Sequence, residues 1–401
     1  MKKLIIMTKR FPYHHTEAFL ESEYPFYSSE FDNVVFFPIL KGKVRKNCTN
    51  ANVNDIYNKL YKKKYRLLLL TLFSKHFYKS VLECFSKLLR RDFLRKLIVQ
   101  DLHYRIAKKI ISQNSSLFDK ETIVYCYWFN SIVYAMLKLR EEYGCDYKVV
   151  CRAHRFDVYD ENGIMPHRKY CLDKIDRIFP ISQDAVNVLS AQCSNKNKII
   201  LSRLGVHNHG IIAPSSDPFS FNLLSISQTS KRKRVILIFH SIQEYAKQNP
   251  TLNICWTHFG DGPLDKELSV LCKNIGLCNL QIKLKGRVPN EVIVRYMSTK
   301  AIDAFINLSS SEGVPVSIME AQSFGLPVIA TNVGGTGEIV NNNNGILLSA
   351  NPTTEEIISA YTKISNTYFN RECIKKEWGK TSNAEIVFPL FVKKLSEILH
   401  E

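Results

Sequence analysis

The sequence has few features of an exported or membrane-spanning protein. Its eleven cysteines are an odd number, scattered singly, with no CxxC pair. That excludes a disulfide framework or a paired-thiolate zinc site and leads us to expect reduced thiols in a cytoplasm. Only four apolar residues, Leu4, Ile5, Ile6 and Met7, separate Lys2-Lys3 from Thr8-Lys9-Arg10, too few for a signal peptide. The leucine-rich stretch at residues 67–73 falls far short of the roughly 20 residues that span a bilayer. No His/Cys/Asp cluster shows metal-ligand spacing, so no metal is expected. Glycine is missing from the whole stretch Thr8-Lys9-Arg10-Phe11-Pro12-Tyr13-His14-His15-Thr16-Glu17-Ala18-Phe19.

Acids are scarce in one region. Between Lys41 and Lys109, only Asp55, Glu83, Asp92 and Asp101 stand among nineteen Lys and Arg, so residues 41–110 hold most of the formal charge of +18. The cations alternate with apolar residues at helical spacing: Tyr61-Lys62-Lys63-Lys64-Tyr65-Arg66 and four leucines, then Phe73, Phe77, Tyr78, Val81, Phe85, Leu88 and Leu89. Basic amphipathic helices suit an anionic membrane surface, where each cation contributes on the order of 1 kcal/mol. A solvated basic face is the plain alternative. Nucleic acid is not expected, because no nucleic-acid-binding motif accompanies the charge.

The chain as a whole is ordinary globular sequence: 401 residues, 45% hydrophobic, enough for two or three domains. Short β-rich runs alternate with helical patterns at residues 3–7, 33–37, 122–127, 147–151, 174–181 and 198–202. After the proline-containing stretch 211–218 a second series begins, with strands at 221–227, 252–259, 280–285, 301–306 and 327–330 and helices at 235–248, 263–275 and 289–297. This βαβ alternation predicts parallel sheets with helices on both faces. Two Rossmann-like halves are expected to face each other across a cleft: residues 1–212, a linker at 213–219, residues 220–375, and a C-terminal helix at 376–401 packing back on the first half. Ligands of open α/β sheets lie at the carboxyl ends of the strands.

The most informative run is Ser309-Ser310-Ser311-Glu312-Gly313-Val314-Pro315-Val316-Ser317-Ile318-Met319-Glu320. A strand ends, a polar loop carries Glu312 and Gly313, and a helix begins that carries Glu320. Free amides at that helix start beside a glycine suit an anion such as a diphosphate. This run, with its glutamates eight positions apart, resembles the EX7E motif of the retaining GT-B glycosyltransferases of family 4, which build bacterial surface polysaccharides. Trp256-Thr257-His258-Phe259-Gly260-Asp261-Gly262-Pro263 resembles the family's GDGP turn. Gly286-Arg287-Val288-Pro289-Asn290 is similar to its G-x-V-x-N segment, and Val333-Gly334-Gly335-Thr336-Gly337-Glu338-Ile339-Val340 to its VGG-x-x-E-I-V run. Lys231-Arg232-Lys233-Arg234 sits where the family places a cation on the donor diphosphate, with Lys233 the best match and Arg234 beside it. His154-Arg155-Phe156-Asp157 resembles its H-x-x-D element.

The resemblance implies the GT-B fold and a nucleotide-diphosphate sugar, UDP-linked in preference to GDP-linked, held mainly by the second half. A hexose or N-acetylhexosamine would pass to a lipid-linked or growing capsule, exopolysaccharide or O-antigen chain, with the basic segment docking the protein on the inner face of the plasma membrane. His154, Lys233 and Glu312 are the implied catalytic residues. Arg234, Gly260, Gly262, Arg287, Gly313, Val314, Pro315, Val316, Ser317 and Glu320 are implied around the donor, with Glu320 on the ribose. Arg155, Asp157 and Glu17 are implied contacts to acceptor or sugar. The alternatives are another GT-B enzyme, such as a nucleotide-sugar epimerase or a transferase with a soluble acceptor, and a non-catalytic nucleotide-sugar-binding protein. The glycine-free first turn departs from the family pattern.

Overall fold

The computed structural model describes the chain apart from His15, Thr16, Ala18 and residues 88–90 and 160–164, so Leu88 and Leu89 of the basic stretch lie outside the described residues. The chain divides into two compact units: residues 1–203 with 388–401, and residues 204–387.

The first unit holds a parallel sheet in the order β2-β1-β3-β4-β5: β1 Lys3–Thr8, β2 Asn33–Pro38, β3 Thr122–Cys126, β4 Lys148–Ala153 and β5 Arg177–Pro180. Its central strands are buried along their length (Ile5, Ile6, Ile123, Val124, Val149 and Val150), as a sheet covered on both faces requires. The basic stretch forms helices Ile56–Lys62, Lys64–Leu69, Lys75–Glu83 and Arg91–Gln113, the last buried along Phe93, Leu97, Leu102, Ile106 and Ile110. Two local expectations shift. The run read as a strand at 174–181 is the end of helix Arg168–Lys174 followed by β5. The run at 198–202 is joined to β5 by one bridge, Ile178 to Ile199, rather than forming a full strand.

The second unit holds a six-stranded parallel sheet in the order β11-β10-β9-β6-β7-β8. Its strands are β6 Ser220–Ile226, β7 Asn253–Phe259, β8 Leu280–Leu284, β9 Ala304–Asn307, β10 Val328–Thr331 and β11 Gly345–Leu348. Helix Val235–Gln248 buries Ile238, Phe239, Ile242 and Tyr245 against the sheet.

The division between units falls at Arg203/Leu204 instead of at a linker over 213–219. Backbone bonds from Ala213 N to Phe324 O (2.9 Å) and from Ile302 N to Pro214 O (3.2 Å) tie that stretch to the second unit. The C-terminal segment is also two helices, Arg371–Ser382 and Ala384–Glu397. Residues up to Val387 cluster with the second unit, whereas Phe391, Val392, Leu395 and Ile398 pack among Leu4, Ile6, Tyr125 and Phe179 of the first.

Candidate functional site

In the second sheet, β10, β9, β6 and β7 are consecutive neighbours, so the loops leaving their carboxyl ends meet. The β6 loop runs through a 3-10 turn, Lys231–Lys233, and the β9 loop leads into helix Val316–Ser323. Ser310 N donates to Arg232 O (2.8 Å), and the Arg232 guanidinium donates to Ser311 O (3.1 Å). Lys233 Nζ ion-pairs with Glu312 Oε1, and Arg232 lies 3.7 Å from Glu312 Oε2. Burial pushes the Glu312 carboxyl up, but the Lys233 ammonium, the Ser309 hydroxyl and Arg232 outweigh it and hold the group below its ordinary range. Glu312 is thus a shielded carboxylate paired with a cation at the mouth of the sheet.

The β10 loop completes the mouth. Gly335 N donates to Gly313 O (2.7 Å), and a Cβ on Gly334 (φ +52°) would stand 2.0 Å from Glu312 O. No side chain caps the helix that starts after Pro315. The first turn of that helix, with Val314 and Pro315 buried and Gly313, Val316 and Ser317 partly exposed, therefore offers amides to an anion. One turn further, crowding by protein pushes the Glu320 carboxyl up to about 7, an effect that the Asn290 side chain opposes. Asn290 begins helix Asn290–Thr299 after β8. In the sequence it closes the run Gly286-Arg287-Val288-Pro289-Asn290, and only the folded sheet brings it near Glu320.

Other implied donor residues are used differently. Arg234 adopts a left-handed backbone (φ +49°) and turns its guanidinium to Ala350 O (2.7 Å) and the Asn351 side chain, away from Glu312. Gly260 and Gly262 serve close packing: Cβ atoms there would stand 1.8 Å from Ser227 O and 2.5 Å from Thr229 O. Arg287 is exposed, with no ion pair or hydrogen bond among the described residues.

In the first unit, β1, β3 and β4 are neighbours, and their carboxyl-end loops bring together Glu17, Trp128 and His154. The His154 ring lies 4.8 Å from that of Tyr127 and 4.7 Å from that of Trp128. It is buried, and its Nε2 has no hydrogen-bond partner among the described residues. Burial, reinforced by the Arg152 guanidinium, pushes its pKa down to about 3, so the ring is neutral. Asp157 accepts from His154 N (3.2 Å), and burial raises its carboxyl to about 7. Arg155 is buried, with its guanidinium over the Phe156 ring (4.6 Å).

Two further side chains in this unit are satisfied by the protein itself. Arg152 is fully buried in β4, paired with Glu23 at 2.9 Å. Glu17 fills the glycine-free turn: its carboxylate accepts from the amides of Lys9 (2.9 Å), Arg10 (2.7 Å) and Phe11 (2.8 Å) and from Trp128 Nε1 (2.7 Å). The amides that glycines would open to a phosphate are satisfied by the chain's own carboxylate.

Among the described residues no group of three His, Cys, Asp or Glu side chains is placed to hold a metal, and no helix is long and apolar enough to cross a membrane.

Residues 216–377 match the family described as Glycosyl transferases group 1. The chain is 25% identical over 215 residues to the amylovoran biosynthesis glycosyltransferase AmsK of Erwinia amylovora, covering 51% of this chain and 52% of that protein. It is 38% identical over 68 residues, 17% of each chain, to the Escherichia coli UDP-Gal:alpha-D-GlcNAc-diphosphoundecaprenol alpha-1,3-galactosyltransferase. The first of these alignments spans about half of the relative's length, and the second a smaller part. The lipopolysaccharide outer core galactosyltransferase WaaB matches in structure with a TM-score of 0.71 at 15% identity, over 99% of both chains. The two parallel-sheet α/β units have the GT-B fold.

Proposed function

We propose that the protein is a retaining glycosyltransferase of the family 4 type that moves a hexose or N-acetylhexosamine from a nucleotide-diphosphate sugar to a lipid-linked or growing surface polysaccharide. The observation that carries this reading is the Lys233–Glu312 pair, set beside an uncapped helix start at the mouth of the second sheet. Departure of the nucleoside diphosphate builds negative charge on the leaving oxygen. A fixed ammonium and helix-start amides aimed there stabilise the transition state without reorganisation. Glu320, near Asn290, holds the ribose hydroxyls. Glu312 accepts from hydroxyls of the donor sugar while it positions Lys233. Neutral His154 offers its unpartnered nitrogen to a sugar hydroxyl. UDP is the favoured carrier, supported by the UDP-Gal named for the E. coli relative.

The acceptor reading rests on the surface of the basic helices. Tyr65, Leu69, Phe73, Leu82 and Phe85 are 74%, 66%, 83%, 74% and 72% exposed, among exposed Lys62, Lys63, Arg66, Lys75 and Lys79. Apolar side chains flanked by cations match an anionic bilayer, with rings and aliphatic groups in the headgroup region and ammonium groups on the phosphates. A membrane-borne acceptor follows, at the cytoplasmic face. Sedimentation with phosphatidylglycerol-containing vesicles should pellet the protein, whereas pure phosphatidylcholine should not. Neutralising Lys62, Lys63, Lys64 and Arg66 together should release it, and persistent binding would argue for a solvated face.

The test of the chemistry is melting temperature against UDP, GDP, ADP and their sugar conjugates. A ligand at 100 times its dissociation constant stabilises by about 2.7 kcal/mol. One base raising Tm, followed by transfer to membrane extracts with retained anomeric configuration, is the expected result. No response to any nucleotide would overturn the reading.

A further inference from the structure

The first unit's aromatic cluster has a feature that the nucleotide chemistry leaves unused. Trp128 follows β3 and is partly exposed, whereas Trp256 and Trp378 are buried. Its indole is held on three sides. Nε1 donates to Glu17 (2.7 Å), and that carboxylate is fixed by the three turn amides. Tyr127 meets the ring edge-on at 88° with centroids 5.5 Å apart, and His154 tilts against it at 4.7 Å. A partly exposed tryptophan whose only polar atom is already satisfied offers a ligand nothing but its ring. Beside it, the buried Nε2 of His154 lacks a partner among the described residues, so the same cluster has a polar group able to accept or donate one hydrogen bond.

We propose that Trp128 is a sugar-stacking platform of the first unit, its plane set by Glu17, and that it takes the apolar C–H face of a pyranose ring. The inference rests on the glycosyltransferase reading above. The axial hydrogens of a pyranose form a slightly positive, apolar surface, and the indole face is its electrostatic complement. The ring's equatorial hydroxyls then point outward, toward groups such as His154. Glu17 is a positioning residue here: by occupying the turn amides and the indole N–H together, it couples the first βα turn to the platform.

Saturation-transfer NMR tests this, with methyl α-D-glucopyranoside, methyl α-D-galactopyranoside and methyl N-acetyl-α-D-glucosaminide as free-sugar probes and UDP-glucose as a separate arm. In the wild type, transfer to the ring C–H protons of at least one probe is expected. It should fall at least fivefold in Trp128→Ala, persist in Trp128→Phe, and weaken in Glu17→Gln, where emission of the released indole also becomes more accessible to acrylamide. Transfer from free glycosides assigns the platform to the acceptor, and transfer from UDP-glucose alone assigns it to the donor sugar. Equal transfer in the wild type and Trp128→Ala overturns the proposal. So does an absence of transfer from every probe in protein whose Tm is raised by nucleotide. If nucleotide also fails to raise Tm, both the platform and the glycosyltransferase reading fall.

Discussion

Lys233, at the end of the loop after β6, and Glu312, in the loop after β9, form an ion pair between groups 79 positions apart in sequence. The pair exists because β6 and β9 are neighbours in the sheet although two strands intervene in the chain. Lys233→Met should leave the shielded Glu312 carboxylate without its main partner and destabilise the fold by about 2 kcal/mol at pH 7. Because the folded-state carboxyl sits below its ordinary value of 4.5, its stabilisation is present above that pH and is lost as pH falls through the folded value. The deficit of the variant, read by urea denaturation, should therefore narrow below about pH 4.5. Turnover should fall more than donor affinity. Normal turnover would move the phosphate role to Arg232.

Glu320 titrates in the opposite sense. Its carboxyl is raised from 4.5 to about 7, so between those values the folded state holds a proton that the unfolded state has released. Stability from this group is full below about pH 4.5 and declines as pH rises toward 7. Glu320→Gln removes the dependence: the drop in Tm from pH 5 to pH 8 should be smaller in the variant than in the wild type. Parallel curves would show that Glu320 ionises normally. Nucleotide affinity should also fall if Glu320 makes the proposed ribose contact.

The glycines of the site loops differ in what they tolerate. Gly334→Ala would force a Cβ to 2.0 Å from Glu312 O, and Gly260→Ala to 1.8 Å from Ser227 O, both at positive φ. Each should cost about 2–4 kcal/mol, and the first should also displace Glu312 and abolish nucleotide stabilisation. Gly379→Ala, inside helix Arg371–Ser382 with nothing within 4 Å, is the control and should be neutral or stabilising. Equal effects at all three positions would remove the packing argument.

The Arg152–Glu23 pair is wholly buried, and Glu23 also accepts from Tyr27 (2.7 Å) and Tyr125 (3.1 Å). Arg152→Met strands that carboxylate and also loses the stacking of the guanidinium on Phe391 at 4.0 Å. A loss of about 3–5 kcal/mol is expected, partly recovered when Glu23→Gln is added. Additive losses in the double variant would mean that the two groups do not act as a pair.

Much of the architecture was legible because it is local. The period of apolar residues over 235–248 marked a helix with the bounds observed. Glu312 in a loop and Glu320 on a helix followed from a strand, a glycine and a proline in order. The four-residue strand β11 was missed, since so short a run has no periodicity of its own and is defined by pairing with β10. The linker was misplaced for a similar reason: proline and small residues mark a break in regular structure, but which unit such a stretch joins depends on partners such as Phe324 and Ile302.

The chain by itself determined which side chains the site could use: two glutamates, a run of four cations, and a histidine after a strand. The tertiary structure alone decided which of them meet. Lys233 and Arg234 are neighbours with the same charge, yet a left-handed turn at Arg234 sends it to Ala350 while Lys233 reaches Glu312. Glu17 carried no mark in the sequence of closing its own turn, since three amides and an indole converge on it only when β1 and β3 lie side by side. Residue type and spacing act over a few positions, whereas strand order, burial and hydrogen-bond satisfaction are properties of the whole folded unit.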